Sequence, residues 1–568
     1  MIEYRNYSFT YAGSKQPVLQ DISLTLREGA FYLLCGQSGC GKTTLLLQLL
    51  NTMRPHGTCQ GELLYQGKPI AEMDKLTAVS QIGYVGQDPD AMLVTDKVWH
   101  ELAFGLESLG LNLNEMKRKV GEIAQFFGLE DCLLQDTATL SGGQKQLVVL
   151  ASVMAMQPKV LLLDEPTAQL DPLAATEFLH TIKRLNEELG TTVILCEHRL
   201  EEIFSLSDEV ILMSRGRIEQ SGTPKEVVGY LLGKGHSARL YEGLPTPVRI
   251  AGGLEKHAGN CPINLKEGRL WFGKYWSQHP ELRQQVTPRK MPDFTKAAKV
   301  LEGRELEFAY EPGKEVLRKV SFCLHEKEWY CLMGGNGAGK STLLSLIAGN
   351  GQAVSGSLFY QGMSCSKKSP LPLGFGGVVL LPQNPKVLFS EITVREELEV
   401  MTKTPYRNAA KRGDESGADR AGDPATEVNA MLQTMELSDV ALQHPYDLSG
   451  GQQQKLALAK LLLLQPKVLL LDEPTKGMDP GFKPEFAALI SELKNQGKAI
   501  FMVSHDVEFA AEYADTCGLL FDGEIVAQSP AGEFFMGNNF YTTGTNRMVR
   551  KYLPQAVTVK EVTGCTTD

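Results

Sequence analysis

Uninterrupted apolar runs recur along the chain at 31–35 (FYLLC), 160–163 (VLLL), 193–196 (VILC), 330–333 (YCLM) and 500–503 (IFMV). Runs this short, free of polar residues, suit strands covered on both faces, as in a parallel sheet. Between them lie segments with helical spacing, such as 144–155 and 226–232. Strands alternating with helices predict an α/β protein.

The pattern then repeats. GQSGCGKTTLL at 36–46 returns as GGNGAGKSTLL at 334–344, LSGGQ at 140–144 returns at 448–452, and VLLLDEPT at 160–167 returns at 468–475. His198 has its counterpart in His505. A near-constant offset across four blocks means a duplicated domain, and its period is far too long for a solenoid. The second half carries extra residues at 408–425, rich in Gly, Ala, Asp and Arg, which read as a solvated loop. Segment 224–299 starts helically and then turns irregular, with prolines at 245, 247, 262, 280, 288 and 292. The expected organisation is a first domain at 1–230, an appendage and linker at 231–299, a second domain at 300–535 and a tail at 536–568. Neither the linker nor the tail receives a fold from sequence.

Composition narrows the picture. The chain has 568 residues, 43% hydrophobic and 22% charged, ordinary values for a globular protein. The longest apolar runs are broken by charge well before the roughly 20 residues of a bilayer span. The start, MIEYRNYSF, lacks the features of a secretory signal. A net charge of −10 argues against bulk nucleic-acid binding. The 11 cysteines are scattered, odd in number and form no CxxC pair, as expected of reduced thiols in a cytosolic protein.

Three motifs carry chemistry. GxxxxGK[ST] after a strand is a phosphate-binding loop, whose inward N–H groups and following helix N-terminus attract anions. Lys42 and Lys340 are placed to reach the β- and γ-phosphates, and Thr43 and Ser341 to offer a hydroxyl to Mg²⁺. VLLLDEPT ends a strand in two carboxylates. Asp164 and Asp472 are candidate Mg²⁺ ligands. Glu165 and Glu473, expected to point elsewhere because side chains alternate along a strand, are candidates to polarise the attacking water. In LSGGQ, Ser141 and Ser449 are plausible helix caps, and the glycines that follow allow close approach to an anion.

With both copies in the same order, the sequence resembles a tandem ATPase subunit of an ATP-binding-cassette transporter over about 1–230 and 300–535. The resemblance implies two P-loop nucleotide-binding domains, each with a RecA-like core, an antiparallel β subdomain and a helical subdomain. It places ATP on Gly36, Ser38, Gly39, Gly41, Lys42, Thr43 and Thr44, and again on Gly334, Asn336, Gly337, Gly339, Lys340, Ser341 and Thr342. Tyr11 and Tyr310 match the aromatic that stacks on adenine. Gln87 and Gln383 match the glutamine that touches Mg²⁺ and the water. Asp171 and Asp479 match the loop crossing between cassettes. His198 and His505 match the histidine on the γ-phosphate. In this family two cassettes pack head to tail. One ATP would then meet Ser449, Gly451 and Gln452 opposite its phosphate loop, and the other Ser141, Gly143 and Gln144. Neither set shows a lost motif residue, so both sites are expected to hydrolyse ATP. Two departures stand out: Cys40 inside the first phosphate loop, whose modification would block ATP sterically, and Cys196–Glu197 before His198, where Ser or Thr is common.

The stretch after Gln87, QDPDAMLVTDKVWHELAFGLESLGL, resembles the ATPases of energy-coupling-factor importers of vitamins and cobalt or nickel ions. Pro89, Met92, Leu93, Val98, Trp99 and Leu102, with Pro385, Val387, Leu388 and Phe389 in the second half, either form a groove for a partner helix or pack the helical subdomain. This branch implies a transmembrane coupling protein, a substrate-capturing membrane protein and a peripheral place on the cytoplasmic face of the membrane. The alternatives are another ABC transporter ATPase and a soluble tandem-cassette factor on ribosomes. The latter usually has a charged helical linker, unlike the Pro-rich one here.

Overall fold

The computed structural model describes the chain except residues 235–239, 256–260, 281–291, 295, 312, 366–369, 404–423, 540 and 565–568. Nearly all of the expected solvated loop at 408–425 lies outside the described residues. Two compact units are present: Met1–Phe272 with Asp479–Gly481, and Gly273–Met478 with Phe482–Asp568.

Each unit is built on a six-stranded sheet. In the first the order is Arg217–Gly222, Glu209–Ser214, Phe31–Gly36, Thr192–Cys196, Val160–Asp164 and Ile82–Val85. All neighbours pair in parallel except the outermost Arg217–Gly222, which is antiparallel to Glu209–Ser214. The second unit repeats this order with Glu524–Pro530, Thr516–Phe521, Trp329–Met333, Ala499–Val503, Val468–Asp472 and Val378–Leu381. Every apolar run singled out in the sequence is therefore a central strand.

Alternation explains why these strands read as continuous apolar runs. Phe31, Leu33 and Cys35 face a core that includes the helices, whereas Tyr32 and Leu34 face the core of a second sheet. Trp329, Cys331 and Met333 are likewise divided from Tyr330 and Leu332. With both faces covered, a polar residue is admitted only where it finds a partner, as Thr192 does in accepting the Gly29 N–H at 2.9 Å. The second sheet is four-stranded and antiparallel in each unit, led by Ile2–Tyr11 and by Lys299–Glu311. A helical layer of Val98–Ser108, Leu113–Phe127 and Gly142–Ala155 completes the first cassette. Val394–Lys403, Pro424–Thr434 and Gly450–Leu462 do so in the second.

The prolines of the intervening segment mislead. Thr246–Leu254 and Leu265–Gln278 are helices, and Pro247 lies in the first turn of the former, where a missing N–H breaks no helical bond. The tail contains helices Gly544–Val549 and Val559–Thr563, each begun by a threonine whose hydroxyl accepts a backbone N–H.

Candidate active site

The phosphate loops leave the carboxyl ends of the central strands, the end at which open α/β sheets bind ligands. Gly36 closes strand Phe31–Gly36, and a Cβ there would lie 2.3 Å from the Met213 carbonyl oxygen. Gly41 and Gly339 turn the chain into helices Lys42–Leu47 and Lys340–Ile347 with φ of 103° and 101°, a left-handed conformation open to glycine. The lysines fold back over their own loops. Lys42 Nζ donates to Gly36 O at 2.9 Å and Gln37 O at 3.1 Å, and Lys340 Nζ to Gly334 O and Gly335 O, both at 3.0 Å.

The carboxylates follow the neighbouring strands. Asp164 and Asp472 are the last residues of Val160–Asp164 and Val468–Asp472 and are buried. Burial raises the Asp164 carboxyl to about 6, against the pull of the Thr43 hydroxyl. Asp472 is raised for the same reason, with Ser341 Oγ donating to its Oδ1 at 3.1 Å. Glu165 and Glu473 come one residue beyond the strand, so alternation does not aim them. Both have φ of 49°, in the left-handed region. That strained turn, held by Glu165 N–H on Cys196 O at 3.0 Å and Glu473 N–H on Val503 O at 2.9 Å, redirects the side chain. His198 Nε2 lies 2.8 Å from Glu165 Oε1, and His505 Nδ1 contacts Glu473 Oε2. Burial alone would raise both glutamates; the histidine hydrogen bonds and charges override it and hold both below the ordinary value. Lys340 Nζ stands 3.6 Å from Glu473 Oε1.

The remaining expected residues fall around these groups. Val85 pairs with Leu163 and Leu381 with Leu471, so Gln87 and Gln383 emerge at the same sheet end as the carboxylates, both exposed. Tyr11 is the last residue of strand Ile2–Tyr11 and Tyr310 the last but one of Lys299–Glu311, and their hydroxyls lie 2.9 Å and 3.2 Å from Thr44 Oγ1 and Thr342 Oγ1. At 36% and 69% exposure they are not core aromatics. Asp479 accepts the Ser38 N–H at 2.8 Å and lies 3.9 Å from His198 Nδ1, while Asp171 caps helix Pro172–Leu189 through Ala174 N–H. Ser141 and Ser449 open helices Gly142–Ala155 and Gly450–Leu462, as expected of caps. Gln144 and Gln452 complete the caps. Each side-chain oxygen accepts its own serine's N–H, at 2.9 Å and 3.0 Å, completing a capping box that leaves the amide NH2 as a donor.

One sequence expectation needs correction, and one open choice is narrowed. Cys40 turns its side chain into the core beneath the loop, 5% exposed, and burial raises its thiol. Ready modification there is not supported. Of the residues weighed as a groove, Val98 and Leu102 are fully buried, and Met92, Leu93 and Trp99 pack against the same core. These five pack the helical subdomain, one of the two readings left open, whereas Val387, weighed with them in the second half, is exposed, as are Val94, Phe104 and Ile392. One contributor was missed. Glu197, a departure without an interpretation in sequence, is buried between the loops that carry Glu165 and His198.

Comparison with known proteins gives the family. The family model described as ABC transporter matches residues 19–168 and 317–476. The chain belongs to the ABC transporter family. A Bacillus thuringiensis subsp. konkukian protein named as an ABC transporter ATP-binding protein is 40% identical over 99% of this chain and 97% of its own length. The solved CbiO1 of Clostridium perfringens, described as part of the ABC transporter complex CbiONQ, is 32% identical over 40% of this chain and 89% of its own, with a TM-score of 0.37. A model of ribosome-bound archaeal Pelota and ABCE1 shares the fold at 19% identity, covering 96% of this chain and 80% of that one, with a TM-score of 0.59. This chain is thus a tandem ABC ATPase that binds ATP. Among its described residues no helix is long and apolar enough to cross a membrane.

Proposed function

We propose that this ATPase energises a membrane importer of the energy-coupling-factor type, which takes up a vitamin or a transition-metal ion. ATP bridges the two cassettes head to tail in two composite sites, through the residues assigned above, and hydrolysis removes the bridge. The catalytic roles fall to Glu165 with His198 and Glu473 with His505. The carrying observation for hydrolysis is the carboxylate–histidine pair, present twice with its glutamate held ionised. Mg²⁺ fits beside it. Asp164 Oδ1 is buried without a hydrogen-bond partner, and Ser341 already meets Asp472. Among the described residues no three His, Cys, Asp or Glu side chains form a cage. That suits an ion that completes its shell with phosphate oxygens and water. Thr43, Gln87 and Asp164, and Ser341, Gln383 and Asp472, would hold it, and it would neutralise charge on the phosphates.

The importer assignment rests on the resemblance of the segment after Gln87 and on the apolar residues left exposed beside it. Val94 and Val387 are 66% and 74% exposed, close behind Gln87 and Gln383 in the chain. Apolar side chains next to a residue that senses nucleotide suit a transmembrane coupling protein, which in turn holds a substrate-capturing membrane protein. The ATPase would then sit peripherally on the cytoplasmic face of the membrane. Affinity purification of the full chain from solubilised membranes tests this. Recovery of two membrane proteins, lost on Val94→Asp with Val387→Asp, supports it; sedimentation of the chain with ribosomes overturns it.

A further inference from the structure

Cys196 ends the strand beside Val160–Asp164, and Asp164 pairs with it, so the two loops that follow run side by side. One carries Glu165 and Thr167, the other Glu197 and His198. Glu197 is 2% exposed and reaches across. Its Oε1 accepts the Thr167 N–H at 3.3 Å and also meets the Thr167 hydroxyl. Its Oε2 accepts the His198 N–H at 2.8 Å and the Arg199 N–H at 3.4 Å. Each oxygen thus serves one loop. In the second cassette the same place holds Ser504, whose Oγ accepts the Asp506 N–H at 3.0 Å, a bond within its own loop.

We propose that Glu197 is a positioning residue that fixes the Glu165–His198 pair of the first cassette, and that the two hydrolytic sites differ because Ser504 provides no equivalent brace. The inference rests on the catalytic roles proposed above. Glu165 sits two residues before Thr167, on a left-handed backbone that its surroundings must maintain. His198 directly follows Glu197. Linking both loops through one buried side chain keeps the 2.8 Å contact between histidine and glutamate without involving either catalytic side chain. A serine is too short to span that gap, so the second pair must be held by other contacts. Lys340 beside Glu473, and the Asp506–Lys483 ion pair next to His505, are among them.

The test uses the full chain with the other site silenced, Glu473→Gln beside the first-site variants and Glu165→Gln beside Ser504→Ala, so that turnover reports one site. In Glu197→Gln the isosteric amide offers its own N–H groups to N–H donors on one loop. Turnover is expected to fall roughly ten- to a hundredfold, the scale of a small misplacement of reacting groups, with ATP dissociation constants and melting temperature unchanged. Thr167→Val removes the hydroxyl from the opposite side and should lower turnover with affinity likewise kept. The double variant should lose little more than either alone, because both break one link. Ser504→Ala should stay within twofold of the parent. The proposal is overturned if Glu197→Gln and Thr167→Val keep turnover within twofold, if their losses multiply, or if Ser504→Ala falls equally. Should Glu197→Gln not fold, Thr167→Val against Ser504→Ala decides alone. Failure of the underlying reading is separate: it would show as full turnover in Glu165→Gln.

Discussion

Asp506 offers the clearest measure of what supports the second histidine. Burial by itself would raise its carboxyl, but the Lys483 ammonium 2.5 Å away and the Phe509 N–H at 3.1 Å pull it from 3.8 down to about 2. At about 1.4 kcal/mol per pH unit, the folded state favours the ionised carboxyl by roughly 2 kcal/mol. The sign follows from the lowered value. Above 3.8 the group is ionised folded or unfolded, and the stabilisation is complete; it drains away as pH falls from 3.8 towards 2. Asp506→Asn isolates this term, since asparagine caps a helix about as well as aspartate and can still serve Val507–Tyr513. Thermal melts of the full chain should show the second cassette losing roughly 4 °C at pH 7. The loss should be constant between pH 5 and 8. A loss below about 1 °C, or one that changes across that range, would refute the assignment of stability to the ion pair.

Three further outcomes follow from the site. Glu165→Gln and Glu473→Gln should each cut turnover at their own site roughly 10²–10³-fold while ATP still binds, read by ATPase rate and nucleotide retention; full retention of activity in either would remove that glutamate from catalysis. Gly36→Ala forces a Cβ to within 2.3 Å of Met213 O, so ATP binding to the first cassette should be lost by calorimetry, and unchanged affinity would contradict the close approach. Cys40, buried and with a raised thiol, should react with maleimide at least ~10-fold more slowly than exposed Cys59, and ATPase activity should survive brief labelling; mass spectrometry showing Cys40 modified first would be the contrary result.

What was legible in the chain is what local spacing encodes. The strand before each phosphate loop, the helix after it and the serine caps are read from consecutive residues, and the duplication turns ambiguous motifs into specific ones. The direction of Glu165 was not legible, because a non-glycine residue at φ 49° is selected by neighbours distant in sequence, here Cys196 O. The helices at 246–254 and 265–278 were hidden by prolines that mark a helix start as often as a break. Val98 and Leu102 show the limit of an apolar pattern. Their spacing of four puts them on one helix face, but only the packed helices reveal that this face points inward.

The same limit applies to judging the two ATP sites by their motifs. Every motif residue is duplicated, which by itself predicts equal sites. Yet the groups that orient a histidine against a glutamate are its hydrogen-bonded neighbours, and these have diverged. Glu197 braces two loops in one cassette; a lysine on Asp506 stabilises the histidine loop in the other. The ion pair ties the histidine loop to the helix that starts at Lys483, ten residues past Glu473, whereas the Glu197 carboxylate is shared by the two loops themselves, two residues from Glu165 and next to His198. Only the second constrains the distance between the reacting groups directly. A difference in turnover between the sites would therefore be carried by residues outside every conserved-looking block, and exchanging those blocks between the cassettes would leave it in place.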